Sequence, residues 1–262
     1  MKFFSQWRVR KSADDAAAVY VSEKFGVRTL HIGSDTVQSA MRIAKPLELE
    51  LSYTRSMMGF MLFKERPARV FLIGLGGGSL AKFIYHRLQW AVVEAVEISP
   101  QVVTTARHYF HLPPEDGRFR VVIGDGAAHL ASEGEPADVI AVDGYDAESL
   151  VGTLSDKPFY DACRRRLAPD GVLVVNLWGG DRRFNQNLER IEEAFPEGTV
   201  CLPAEKPGNV VVLAFRRHPG NLAWRELESR ARALEAVHGL EFTRFVASLR
   251  KMNRHDAERL YI

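Results

Sequence analysis

Short, largely apolar runs alternate with amphipathic segments along the chain from residue 69 onward. Each run has four or five residues, the length of a buried strand, and they lie at residues 70–73, 92–96, 120–123, 139–142 and 172–175. The segments between them carry apolar residues every three or four positions, as a helix with one buried face does. Strands that alternate with helices are typical of a mostly parallel sheet with helices on both faces, so the pattern predicts a Rossmann-like α/β fold.

Local signals place the helices and the last strand. Ser99-Pro100 combines an N-cap residue with a proline at the first helical position, so a helix is predicted to begin there. Further helices are predicted over residues 157–167 and 187–195, and a strand over residues 209–215. Beyond Pro219, amphipathic stretches predict two helices that pack either on the sheet or against a second subunit.

The first 52 residues follow a different pattern. Residues 29–32 and 47–51 are strand-like, and residues 33–36 between them are rich in turn formers, which predicts a small β appendage. Apolar positions at helical spacing predict a helix over residues 53–63 that leads into the main domain. We therefore expect a small β-rich segment over residues 1–52 and a nucleoside-binding catalytic domain with C-terminal helices over residues 53–262.

Glycines and acidic residues stand at the ends of successive predicted strands. The first strand breaks into Gly74, Gly76 and Gly78, which leave room for a ligand against bare backbone. The next three strands end at Glu97, at Asp125-Gly126 and at Asp143. In an open parallel sheet the ligand lies beyond the carboxyl ends of the strands, so these residues predict a nucleoside site with Glu97 on the ribose diol.

The same residues distinguish between two kinds of nucleoside. A nicotinamide dinucleotide site would also have a glycine loop and an acidic residue after the second strand, but here Ser79 replaces the third glycine. Such a site also gives no reason for Asp125-Gly126. A carboxylate at Asp125 can accept a hydrogen bond from an adenine amino group, and Gly126 lets the base lie close to the backbone. The pattern favours a sulfonium nucleoside of the S-adenosylmethionine kind.

The chain resembles the spermidine synthase, or polyamine aminopropyltransferase, family over about residues 29–176. Four segments carry the resemblance: the loop at 74–78, Val96-Glu97-Ile98, Gly124-Asp125-Gly126, and the stretch Asp143-Gly144-Tyr145-Asp146 followed by Glu148-Ser149-Leu150 and Phe159-Tyr160. Gln38 and Tyr53 stand where the family has an N-terminal glutamine and a substrate-facing tyrosine.

The resemblance implies a reaction and a role for each matching residue. An amine attacks the aminopropyl group of decarboxylated S-adenosylmethionine, which is a co-substrate and not a tightly bound cofactor, and methylthioadenosine leaves. Asp143 is the catalytic residue, and Tyr53 and Asp146 bind the small-molecule amine. The implied nucleoside-binding residues are Gln38, Gly74, Gly76, Gly78, Glu97, Asp125 and Gly126.

Departures from the family keep two other functions open. Gly77 replaces an aspartate that is implied to face the donor's ammonium group, which favours a methyltransferase that uses intact S-adenosylmethionine. Thr54-Arg55 and Ala147 replace family residues near the amine, and a positive Arg55 is unfavourable there unless it is paired or points away. We expect weak activity on putrescine or a different acceptor amine; a blocked amine pocket would favour a non-catalytic nucleoside-binding protein.

Composition limits the partners and the compartment. The chain is 46% apolar and 26% charged, and its net charge of +2 gives no bulk attraction for nucleic acid or anionic lipid. Cys163 and Cys201 lack metal-ligand spacing, so we expect reduced thiols and no metal site. The sequence has no apolar stretch long enough to span a membrane, so we expect a cytoplasmic protein. We also expect a homodimer.

Overall fold

The computed structural model describes residues 18–144, 154–206 and 208–262, and its strands form three sheets. The strands are β1 (Val19–Lys24), β2 (Val27–Ile32), β3 (Val37–Arg42), β4 (Arg69–Ile73), β5 (Val92–Glu97), β6 (Phe119–Ile123), β7 (Ala137–Val142), β8 (Leu167–Trp178), β9 (Thr199–Pro203), β10 (Asn209–Phe215), β11 (Leu222–Ala223) and β12 (Arg259–Leu260).

Eight α-helices are described together with one short 3₁₀ helix, Met58–Leu62. The α-helices are α1 (Ser52–Met57), α2 (Ser79–Arg87), α3 (Pro100–Tyr109), α4 (Gly126–Ala131), α5 (Lys157–Arg166), α6 (Phe184–Ala194), α7 (Trp224–His238) and α8 (Phe242–Leu249). Within the described ranges, none of these helices is long and apolar enough to cross a membrane.

The central sheet has seven strands in the order β6-β5-β4-β7-β8-β10-β9. The first five are parallel, and β10 runs antiparallel to both β8 and β9. The chain passes from β4 outward to β6 and then returns to the other side of β4 at β7. This reversal opens a crevice at the carboxyl ends of β4 and β7, where α/β sheets bind their ligands. The mostly parallel Rossmann-like sheet predicted from the sequence is confirmed.

Apolar side chains cover both faces of this sheet. One face packs against α2, α7 and α8, and the other against α4, α5 and α6. Leu227 of α7 and Phe242 of α8 are fully buried in the same cluster as Val174 and Leu213 of the sheet. The two C-terminal helices therefore pack on the sheet of their own chain, which decides between the alternatives that the sequence left open.

The N-terminal appendage is a three-stranded antiparallel meander, β1-β2-β3. Met41 and Leu30 of this meander pack against Val102 and Phe110 of the α3 region. The segment 47–51, expected to be a strand, is not one. The backbone amide of Glu48 bonds to the carbonyl of Lys45 in a turn instead, because the preceding Pro46 has no amide to give to a ladder.

Other elements also differ from the prediction. The helix expected over 53–63 divides into α1 and the 3₁₀ helix. Strand β8 begins at Leu167, earlier than expected, because the turn-forming residues 169–171 form an irregularity in its pairing with β7. Strands β1, β3 and β9 were not predicted, since each is short and has a mixed polar and apolar pattern.

Candidate active site

A cavity of about 570 Å³ opens at the carboxyl ends of β4, β5, β6 and β7. Strand β3 and helix α1 close its other side, and the ends of β8 and β10 complete the wall. The structure brings together most of the residues singled out in the sequence. Those on the cavity wall are Gln38, Tyr53, Gly74, Gly76, Glu97, Asp125, Gly126 and Asp143.

The glycine loop needs its glycines for three different reasons. At Gly74, where φ is +92°, a Cβ atom would lie 2.3 Å from the backbone oxygen of Asp143. At Gly76 there is space, but φ is +54°, a left-handed conformation that residues with a side chain rarely adopt. Gly78 is not among the wall residues: a Cβ there would meet Leu112 at 2.5 Å, and its φ of +71° starts α2. The ligand contact of Gly78 stays a prediction.

Glu97 ties two backbone segments together at the cavity wall. Its side chain is buried, and its two oxygens accept hydrogen bonds from the amides of Leu75 and Ser99, each at 3.0 Å. An ionised carboxylate has about four acceptor positions, so Glu97 keeps capacity for two hydroxyl donors. The arrangement fixes the position of the carboxylate at the cavity wall.

Asp125 and Gly126 form the start of α4. An oxygen of Asp125 accepts a hydrogen bond from the amide of Ala128 at 2.8 Å and so caps the helix. A Cβ at Gly126 would lie 2.6 Å from the side chain of Ile73, so this glycine is required for close packing of the loop against β4. The exposed carboxylate of Asp125 lies at the open edge of the wall.

Asp143 follows β7 and is held by two side chains from other elements. One carboxylate oxygen accepts a hydrogen bond from the hydroxyl of Tyr53 at 3.2 Å, and the other from the amide nitrogen of Asn176 at 2.9 Å. Burial raises the pKa of Asp143 above its usual value, and the two hydrogen bonds act against this rise because they favour the ionised form. The result is a desolvated carboxylate with two fixed donors.

The N-terminal appendage supplies part of the same wall. The hydroxyl of Tyr53 lies 3.5 Å from the backbone oxygen of Gln38 in β3, as well as next to Asp143. Both residues that were matched to the family singly therefore lie at the cavity. The site is formed between the appendage and the central sheet.

The wall residues that sequence reasoning missed include three polar or aromatic ones from β8 and β10: Asn176, Trp178 and Asn209. The amide nitrogen of Asn209 donates to the side-chain oxygen of Asn176 at 2.9 Å, behind the contact of Asn176 with Asp143. A polar Asn176 within the apolar run of β8 was a usable signal, because β8 is the strand next to β7. The run 209–215 gives no comparable signal, since β10 reaches the site only through its antiparallel pairing with β8.

Arg55 is directed away from the cavity wall. Its guanidinium pairs with Glu241 at 3.1 Å and Glu205 at 3.4 Å, and it also donates to the backbone oxygens of Leu49 and Glu50. The conflict between a positive charge at residue 55 and a cationic amine therefore does not arise.

Gly77, where the resemblance implies an aspartate, is closely surrounded by other side chains. At Gly77, a Cβ would lie 2.7 Å from the hydroxyl of Ser39 and 2.9 Å from the ring of Phe110, so a side chain there requires these neighbours to move. Asp146 and Ala147 lie outside the described residues. In the described ranges, no group of three or more potential metal-binding side chains comes together.

The chain is similar to several known proteins. The family model of the spermine/spermidine synthase domain matches residues 50–201. A polyamine aminopropyltransferase from Chromobacterium violaceum is 43% identical over 255 residues, which covers 97% of this chain and 98% of that protein. A probable spermidine synthase from Corynebacterium glutamicum has a TM-score of 0.72 and 17% identity, with 98% of both chains covered.

A methyltransferase structure is also similar, over less of the chain. Human methyltransferase-like protein 13 in complex with SAH has a TM-score of 0.63 and 26% identity, covering 79% of this chain and 96% of that one. The family model and the relative that matches along nearly the whole length agree with each other. This chain belongs to the spermine/spermidine synthase family.

Proposed function

We propose that this protein is a polyamine aminopropyltransferase that uses decarboxylated S-adenosylmethionine and an amine such as putrescine. The observation that carries the proposal is the position of Asp143, a carboxylate with two fixed donors, on the same cavity wall as Glu97 and Asp125. The relative from Chromobacterium violaceum, similar along nearly the whole chain, is named for this activity.

The reaction is a displacement at carbon. The lone pair of the amine nitrogen attacks the methylene carbon bonded to sulfur, and a new carbon–nitrogen bond forms. The carbon–sulfur bond breaks with its electrons on sulfur, which converts the cationic sulfonium into neutral methylthioadenosine. The nitrogen gives up one proton. Fixing the two reactants in line supplies about 7–11 kcal/mol of the barrier in such reactions.

Asp143 takes the proton in this proposal. A general base works best when its pKa approaches the working pH, and burial moves the pKa of Asp143 upward in that direction. The hydroxyl of Tyr53 and the amide of Asn176 keep the carboxylate aimed into the cavity. Tyr53, and Asp146 outside the described residues, are proposed to hold the amine.

The donor nucleoside occupies the part of the cavity next to the glycine loop. Glu97 accepts from the two ribose hydroxyls, and Asp125 accepts from the adenine amino group beside Gly126. Gly74 and Gly76 let the loop backbone approach the nucleoside, and Gln38 contacts it from β3. The wall positions of all six residues support this assignment.

Product analysis tests the proposal against methyl transfer. The protein is incubated with either decarboxylated or intact S-adenosylmethionine and with putrescine, cadaverine, agmatine or spermidine, and the nucleoside products are separated. We expect amine-dependent release of methylthioadenosine from the decarboxylated donor. Putrescine is the first acceptor to test, because the pairing of Arg55 removes the electrostatic reason for expecting another amine. S-adenosylhomocysteine from the intact donor would establish a methyltransferase, and neither product would indicate a binding protein.

Three broader expectations remain proposals. We propose that residues 1–52 and 53–262 act as an appendage and a catalytic domain, that the protein is a homodimer, and that it works in the cytoplasm. Sedimentation of the purified protein measures the second of these directly, and a monomer at micromolar concentration would refute it.

A further inference from the structure

Three side chains form a chain of hydrogen bonds that leads away from the reacting centre. The amide nitrogen of Asn176 donates to Asp143 at 2.9 Å, and the amide nitrogen of Asn209 donates to the side-chain oxygen of Asn176, also at 2.9 Å. Asn176 is only 2% exposed, so its amide is held within the protein. The three residues come from the end of β7, from β8 and from the start of β10.

The two ends of the Asn176 amide are chemically different, and only one suits a carboxylate. Its nitrogen can donate to Asp143, whereas its oxygen would repel it. Asn209 donates to that oxygen and so adds a second hydrogen bond to the orientation in which the nitrogen faces the carboxylate. The donor from Asn209 therefore stabilises the orientation that serves Asp143.

The sheet does not need the side chain of Asn209 for its pairing. In the ladder between β10 and β8, Asn209 lies opposite Trp178, and six further residue pairs continue to Phe215 opposite Val172. Asn176 is diagonal to Asn209 in this register, and their side chains are joined by the hydrogen bond between them. The contact is therefore an addition to the backbone ladder and not a part of it.

We propose that Asn209 is a positioning residue for the transfer reaction, acting through Asn176 to hold the Asp143 carboxylate in the orientation that receives the amine proton. The inference rests on the proposed function. Asn209 also lines the cavity, so a direct contact with the substrate is the competing explanation. A double-mutant cycle separates the two.

The cycle compares Asn209→Ala, Asn176→Ala and the double variant in steady-state turnover. We expect kcat to fall about tenfold or more in Asn176→Ala, which removes a hydrogen bond to a charged group, and about three- to tenfold in Asn209→Ala. The double variant should be no slower than Asn176→Ala, because Asn209 has no route to Asp143 once the intermediate amide is gone. Additive losses would overturn the proposal, and so would an unchanged kcat in Asn209→Ala.

Asn209→Asp provides a variant of nearly the same shape. Its carboxylate would face the side-chain oxygen of Asn176 and favour the inverted amide, so we expect a larger loss of kcat than in Asn209→Ala. Asn221→Ala is the matched control, since that asparagine accepts a hydrogen bond from the amide of Ile262, outside the cavity wall. Equal losses in Asn209→Asp and Asn209→Ala would contradict the orientation argument.

A pH titration monitored by carbon-13 NMR measures the effect of Asn209 on the Asp143 carboxyl group without enzymatic turnover. The carboxyl signal of Asp143 is assigned by its loss in Asp143→Asn, and the other titratable groups on the wall, among the described residues, are Tyr53, Glu97 and Asp125. We expect its midpoint to move to higher pH in Asn209→Ala, because a donor to the ionised form is weakened. If the wild-type protein transfers no aminopropyl group, the proposed function alone is refuted. If the titration midpoint of Asp143 is unchanged in Asn209→Ala, the role of Asn209 alone is refuted.

Discussion

The proposed function divides the cavity into a donor half, with Glu97 and Asp125, and an acceptor half, with Asp143, and the two halves hold their carboxylates by different means. In the donor half, both carboxylates are bonded to backbone amides. In the acceptor half, Asp143 is bonded to side chains, the hydroxyl of Tyr53 and the amide of Asn176. One half is therefore set by the backbone, and the other by side chains from other elements.

This difference has a consequence for mutation. A carboxylate held by backbone amides keeps its position when a neighbouring side chain is changed. A carboxylate held by side chains is less firmly oriented, and its pKa rises, when one of them is removed. We expect changes in the donor half to act on nucleoside affinity, and changes in the acceptor half to act on turnover and its pH dependence.

The largest effect is expected for Asp143→Asn. The variant cannot take up a proton and also presents an amide nitrogen to one of two donors, so kcat should fall by about 10²–10⁴-fold. Steady-state release of methylthioadenosine measures this. Asp138→Asn is a control on the same strand, because Asp138 accepts from the amides of Ala68 and Arg69 away from the cavity. A similar fall in the control would assign the loss to the strand.

The second-largest effect is expected for Glu97→Ala, in its affinity for the nucleoside. Loss of a charge-assisted contact to the ribose hydroxyls should weaken methylthioadenosine binding by on the order of 1.5–3 kcal/mol, measured by calorimetry. Glu94→Ala is the control on β5, since Glu94 pairs with His129 and Arg120 outside the cavity wall. Unchanged affinity in Glu97→Ala would place the ribose elsewhere.

Gly76→Val tests the backbone of the donor half. A β-branched residue at a φ of +54° costs about 1–3 kcal/mol, so the loop should shift and weaken nucleoside affinity by about tenfold. Gly26→Val introduces the same strain at a φ of +74° in the β1–β2 turn, with no atom within 4 Å of its Cβ. This control should lower the unfolding temperature and leave affinity alone. Equal affinities in the two variants would show that the loop tolerates the strain.

The smallest effect is expected for Tyr53→Phe. The hydroxyl of Tyr53 stabilises the ionised form of Asp143, so its removal should raise the pKa of that carboxyl further. The base then stays protonated to higher pH, and the acidic limb of the kcat/KM profile should move upward. A fall of about three- to tenfold at the optimum corresponds to one lost hydrogen bond. An unmoved acidic limb would show that Asp143 is not the group that titrates.

The same comparison explains how much the sequence could predict. Glu97 and Asp125 were predictable because each follows an apolar run directly and the carboxyl ends of parallel strands share one edge. Asn209 was not, because its contact with Asn176 depends on the antiparallel register of β10 on β8. Gly78 shows why a glycine alone does not identify a ligand contact. Its left-handed backbone conformation starts α2, which is a structural reason for glycine at this position.

The separation of the two halves is tested most directly by the affinity of Asp143→Asn for methylthioadenosine. Titration calorimetry on the wild type and on this variant, at the same pH, compares the two dissociation constants. If Asp143 serves the amine alone, the constants should agree within about twofold while turnover is lost. A variant that loses nucleoside affinity along with turnover would place Asp143 in the donor pocket and contradict the separation.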